Sequence, residues 1–204
     1  MRLHVIVICI ACIIPCLLTA QTPKEAKLAK RLEMVKQFDS QLIYPLLKGS
    51  NMTGVLPVPG VVNKPASKQV IKLIFNFTEG TANNALGTHV NEGLEEVARI
   101  INLHIAAGIK KQNLHTIIIF HGPGIKIPLN DAWYQQKFNN PSPNTAMLQQ
   151  LQSSGVKMVA CGQSLLFNGH NKSQLSTGVQ LAFSAMTTLT KYQSLGYVML
   201  DIGE

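Results

Sequence analysis

Cysteine is scarce in this chain and poorly placed for disulfide chemistry. Of four residues, Cys9, Cys12 and Cys16 fall in one apolar run near the start, and only Cys161 lies elsewhere. Exported domains staple themselves with paired cysteines, so a disulfide scaffold is excluded, and Cys161 is either an inert buried residue or a reactive thiol. Charge is thin as well: Asp, Glu, Lys and Arg make up 14% of the chain, and no Lys/Arg stripe is clustered. Together with the export signal at residues 1–20, this speaks against nucleic acid as a partner. No G-x-S-x-G elbow, Walker loop or H-E-x-x-H occurs, so the common hydrolase, nucleotidase and zincin signatures fail. GTANNALG at 80–87 lacks the dinucleotide glycine pattern, and Glu92, Glu95 and Glu96 read as a solvated helix face. There is no internal repeat and no low-complexity tract.

What is present begins with export. Met1-Arg2 gives a short positive start, residues 5–18 (VIVICIACIIPCLL) are uninterruptedly apolar, and Leu18-Thr19-Ala20 supplies a small residue for cleavage. This is the layout of a secretory signal peptide over 1–20, and the run is too short to span a bilayer comfortably. An uncleaved anchor is the alternative; a lipoprotein fits worse, because Ile14-Pro15 precedes Cys16. Cleavage after Ala20 takes Arg2 away and leaves 17 basic against 10 acidic residues, a net charge of +7. Such a mild basic bias allows attraction to anionic surfaces or acidic partners. The protein is then periplasmic or secreted, with no stable membrane span.

Residues 21–69 read as a helix and an irregular connector. Thr22-Pro23-Lys24-Glu25 is a capping box with proline at the first helical position. Leu28, Leu32, Val35, Phe38 and Leu42 then recur at helical spacing over 22–47. A basic amphipathic helix can lie on a membrane, but packing on its own domain is the better reading. Residues 48–69 hold three prolines and three glycines.

From residue 70 to 204 strand and helix signals alternate. Val70–Phe77, His115–Phe120, Val156–Cys161, Val179–Ala182 and Tyr197–Ile202 read as strands. Val90 to Ile105, ended by Gly108, Ala146–Gln152 and Ala185–Leu195 read as helices, with a turn or short helix at 163–169. Residues 78–88 and 126–143, the latter with the only tryptophan, Trp133, read as loops. Apolar strands separated by helices imply right-handed crossovers and a three-layer α/β domain, a mainly parallel sheet with helices on both faces. Sites in such sheets lie beyond the carboxyl ends of the strands, where Phe120-His121-Gly122 and Ala160-Cys161-Gly162 both fall. Asn51, Asn76 and Asn171 stand in N-x-S/T triplets, best explained by chance, with Asn76 inside a strand a poor acceptor.

Cys161 is the foremost candidate. A cysteine at a strand end and helix start meets free N–H groups that favour the thiolate, and Gly162 is expected to leave the sulfur open. The bland alternative is a cysteine packed under the strand as a small hydrophobe. His121-Gly122-Pro123-Gly124 is a tight turn able to bring backbone near a ligand, and His121 could orient or protonate a bound sulfur species or be satisfied by its own loop. His170 follows Cys161 by nine residues and is expected to reach the same mouth. A Cys161/His121/His170 metal set matches no familiar ligand spacing, so neither metal nor cofactor is expected.

The segment GVKMVACGQSLLFNGHN (155–171), the HGPG turn and the late LTKYQSLGYVML stretch together resemble the DsrE/DsrF-like family over roughly residues 70–202. The resemblance implies a flavodoxin-like three-layer domain assembling into trimers or hexamers. It implies a role in sulfur relay or sulfur oxidation, with Cys161 as the nucleophile that carries a persulfide, His121 as an orienting or acid/base group, and Gly122, Gly124, Gly162 and His170 around the ligand. Sulfur donor and acceptor proteins are then the partners, and whether such a carrier counts as an enzyme is secondary. Two departures stand out: relay members work in the cytoplasm, and residues 21–69 and 126–143 have no counterpart in short members. The rival readings are a non-catalytic homo-oligomeric ligand-binding or assembly module of the same fold, and a histidine-based metal binder.

Overall fold

The computed structural model describes residues 23–81 and 86–203, with side chains from Ala26 onward. The signal sequence over 1–20 lies outside the described residues, as do Thr22 and the side chains of the rest of its capping box. The apolar runs form β1 (Ile71–Phe77), β2 (Leu114–Phe120), β3 (Lys157–Cys161), β4 (Val179–Ala182) and β5 (Val198–Ile202). They make one sheet in the order β4-β3-β2-β1-β5, with every pairing parallel. The helices are α1 (Pro23–Lys36), α2 (Glu92–Ala106), α3 (Asp131–Phe138), α4 (Thr145–Ser153), α5 (Gly162–Phe167) and α6 (Ala185–Ser194).

This is the three-layer α/β architecture, and its connectivity decides how the layers are filled. From β1 to β4 each strand lies beside its predecessor, always in one direction; β5 returns past them all to the far side of β1. Right-handed crossovers running in opposite directions must pass over opposite faces. Accordingly Phe75, Phe77, Ile118, Phe120 and Met158 pack under α2, α3, α4 and Leu165 of α5. Ile74, Ile117, Ile119, Val159 and Cys161 point the other way, against Ala185 and Leu189 of α6. Among the described residues one face thus carries four helices and the other one.

Two elements differ from the sequence reading. The first helix ends at Lys36, well short of residue 47. Beyond it the chain is held by longer-range bonds: Ile43 and Val55 form an antiparallel bridge, and the buried Asn102 of α2 takes over the backbone at Leu46 and Leu47. Its Oδ1 accepts from both N–H groups, and its Nδ2 donates to the carbonyls of Leu47 and Thr53 at 2.8 and 2.9 Å. Arg31 adds an ion pair to Glu96 at 2.6 Å, so α1 and the connector dock on α2. The second difference is α3, which occupies the middle of the expected loop 126–143. Asn130 caps its start by accepting from Trp133 N–H, and Asn139, with φ of 58°, ends it in the left-handed region. Among the described residues no helix is long and apolar enough to cross a membrane.

Candidate functional site

Cys161 closes β3 and caps α5. Its extended backbone (φ −70°, ψ 116°) places Sγ over the first turn of the helix, where it accepts from Ser164 N–H at 3.4 Å. From the other side Ala185 N–H, the first residue of α6, donates to the same sulfur at 3.2 Å. The starts of two helices therefore converge on one sulfur, a partial positive charge from each direction. Burial alone would push the thiol up. Hydrogen bonds from the Ser164 side chain and from the N–H groups of Ser164, Ala185 and Gln163 outweigh it and hold the thiol below its ordinary value. The sulfur is nevertheless covered, with Cys161 only 4% exposed.

The expectation that Gly162 opens the sulfur to approach does not hold. Gly162 is buried, and a Cβ there would lie 2.7 Å from the Ala182 carbonyl oxygen. Its smallness lets the end of β4 close over the thiol. Gly124 is likewise a packing residue, set against Phe77. Gly122 is different: its φ of +52° suits glycine, and its N–H donates to Ser164 Oγ at 3.1 Å. Ser164, which sequence reasoning did not single out, thereby joins the HGPG turn to Cys161.

His121 extends β2 by one residue. Phe120 is the register partner of Ala160, and the backbone stays extended at His121 (φ −155°, ψ 178°). His121 and Cys161 therefore stand side by side at neighbouring strand ends, on the α6 face, with strands about 4.8 Å apart. No hydrogen bond joins them among the described residues. His121 Nε2 lies 2.6 Å from Asn76 Oδ1 of β1, and Asn76 Nδ2 donates to Asp201 Oδ1 of β5 at 2.7 Å. Burial holds the imidazole below its ordinary value. Asn76 and Asp201 are the functional candidates that sequence reasoning missed. They lie on β1 and β5, the strands flanking the reversal of strand order, where open α/β sheets place their ligand crevice.

His170 does not join this row. It belongs with the four-helix side, its ring edge-on to Trp133 of α3 at 5.3 Å between centroids. Burial and the nearby Lys126 charge hold its pKa down. Among the described residues no three His, Cys, Asp or Glu side chains come together as a metal set, so Cys161, His121 and His170 are not assembled as ligands.

The profile of the DsrE/DsrF-like family matches residues 86–201, which takes in His121, Ser164, Cys161 and Asp201. No curated protein matches the chain. The solved structure of a protein of unknown function from Methanobacterium thermoautotrophicum is similar, with a TM-score of 0.48 at 16% identity, over 64% of this chain and 98% of that one.

Proposed function

Because the chain belongs to the DsrE/DsrF-like family, we propose that it is an exported sulfane-sulfur carrier whose working group is the Cys161 thiolate. The observation that carries this reading is the pair of helix starts aimed at Sγ, with N–H groups at 3.4 and 3.2 Å. They favour the anion, and the thiolate is the nucleophilic form. In the step envisaged, the thiolate attacks the outer sulfur of a persulfide or polysulfide. A new S–S bond forms on Cys161, the donor's S–S bond breaks, and its electron pair leaves on the donor as a thiolate, with no net oxidation. Since the sulfur is covered, loading requires the Ala182–Ala185 segment to move aside.

A second reading keeps one observation on its side. Cys161 is buried and fills the N-cap position of α5, a role serine or asparagine plays elsewhere, so a purely structural cysteine in a binding or assembly module is the rival. Treating the folded protein with polysulfide and weighing it by mass spectrometry separates the two. Addition of one sulfur to wild type and none to Cys161→Ser supports the carrier; no adduct, with iodoacetamide labelling only after unfolding, overturns it.

Export and assembly complete the proposal. Residues 1–20 are removed, and intact mass of the exported protein should begin at Gln21. The chain forms a trimer or hexamer, a reading supported by the apolar side chains of Phe167, Phe183 and Met186, exposed at 87, 78 and 71% around the α5 and α6 rim. Light scattering that finds only monomer at micromolar concentration would reject the assembly.

A further inference from the structure

The donor and acceptor chemistry of the row beside Cys161 fixes more than its geometry. A carboxylate can only accept hydrogen bonds, so the end of the Asn76 amide that faces Asp201, 2.7 Å away, must be the NH2 group. The amide oxygen is thereby turned toward His121 Nε2 at 2.6 Å. An amide oxygen cannot donate, so Nε2 must carry the ring's proton. A neutral imidazole has one N–H, which leaves Nδ1 with its lone pair, and Nδ1 is bonded to none of the described residues. Amide orientation and tautomer, usually matters of assignment, are settled here by one exposed carboxylate at the end of a three-member chain.

We propose that Asp201 and Asn76 are positioning residues that lock His121 in its Nε2–H tautomer, so that Nδ1 serves as the proton acceptor for thiols arriving at the Cys161 rim. The inference rests on the sulfur-carrier reading for its chemistry. A thiol that collects the outer sulfur must first lose its proton. Nδ1 takes that proton, and the new thiolate attacks the protonated outer sulfur. The S–S bond to Cys161 breaks with its electron pair returning to Sγ, and the ring then gives its proton to solvent. Atoms and charge balance with no oxidant required. Asn76 and Asp201 touch no reacting atom in this scheme and act through the ring.

Long-range nitrogen–proton NMR of the imidazoles in the whole chain tests the lock, the His121 signals being assigned by their loss in His121→Gln. Wild type is expected to show His121 as a single neutral Nε2–H tautomer. Asp201→Asn keeps the shape of an exposed strand residue but lets the Asn76 amide face either way, and should give a mixture of tautomers. The rate at which sulfur-loaded Cys161 delivers to a small thiol should fall by roughly tenfold in Asp201→Asn and by roughly a hundredfold in His121→Gln, the range of a positioned acid/base group. Asn76→Leu, checked for folding by circular dichroism, should match Asp201→Asn in its delivery rate. A wild-type ring in the Nδ1–H form, or an Asp201→Asn ring that stays wholly Nε2–H, overturns the inference while leaving the carrier reading intact. Failure of Cys161 to load sulfur would instead remove the carrier reading and leave the tautomer measurement standing.

Discussion

The two faces of the sheet are built to different ends. The face under α2, α3, α4 and α5 is filled by large side chains such as Phe75, Phe77, Phe120 and Tyr134, all fully buried, and is extended outward by the connector that Asn102 pins down. The face under α6 has a small cluster of Ile, Val and Ala around Leu189, and beyond it the strand ends carry Cys161, His121, Asn76 and Asp201. Apolar packing scales with area and disfavours unpaired polar groups. A single short helix leaves room at the sheet's carboxyl edge for polar groups that bond one another and still reach water. Stability and candidate chemistry are therefore separated by the thickness of one sheet.

Substitutions that measure each face can break this contrast. Phe75→Ala, in the thick layer, is expected to cost about 4 kcal/mol in chemical denaturation. Asn102→Ala removes four hydrogen bonds and strands backbone groups at Leu47 and Thr53. It should cost about 3 kcal/mol and expose residues 42–55 to limited proteolysis. Leu189→Ala, under α6, should cost about 2 kcal/mol, the low end for a buried leucine, because α6 can settle into the space. If Leu189→Ala proves as costly as Phe75→Ala, the faces are not energetically distinct.

The smaller effects are pH-dependent and confined to the thin face. The folded Cys161 thiol lies below its ordinary value of 9.0. Its contribution to stability is then full above that value and is lost as pH falls through the lowered one. The stability difference between wild type and Cys161→Ala should therefore rise with pH up to about 9 and then level off. A difference that stays flat would mean the two helix starts do not favour the thiolate. His121 gives a slope of the same sign in a lower pH window. Folding holds its ring below 6.5, so the unfolded chain takes up the proton first, and wild type should lose stability relative to His121→Gln as pH drops below that value. Urea midpoints at neutral and mildly acidic pH check this, and equal acid sensitivity in both proteins would contradict it.

Much of the fold was legible because buried parallel strands announce themselves. KLIFNF and HTIIIF admit few other readings, and the alternation of strand and helix signals already implied the layers. The first helix was read too long because Val35, Phe38 and Leu42 keep helical spacing after the chain has left the helix; Asn102, distant in sequence, decides what happens there. α3 was missed because it buries only Tyr134 fully and so carries no apolar stripe. Its signals were the Asn130 cap and the left-handed Asn139. At the site, Cys161 and His121 could each be placed at the carboxyl end of a strand from local pattern, and the pairing of β2 with β3 makes those ends neighbours. Asn76 and Asp201 could not, since their partnership exists only through the pairing of β1 with β5. Burial of Gly162 was equally invisible, because its neighbour is a carbonyl of β4.

That pairing also has a consequence in time. Asn76 and Asp201 are 125 residues apart in the chain, whereas β1 to β4 join nearest neighbours in order. Contacts of long sequence separation form late, after their loop-closure entropy has been met. As the chain emerges from the ribosome, the outer edge of β1 stays bare until the segment after α6 has appeared. An unpaired strand edge beside Phe75 and Phe77 is a template for a second chain. A molecule interrupted before β5 is thus prone to aggregate and lacks the carboxylate that faces Asn76.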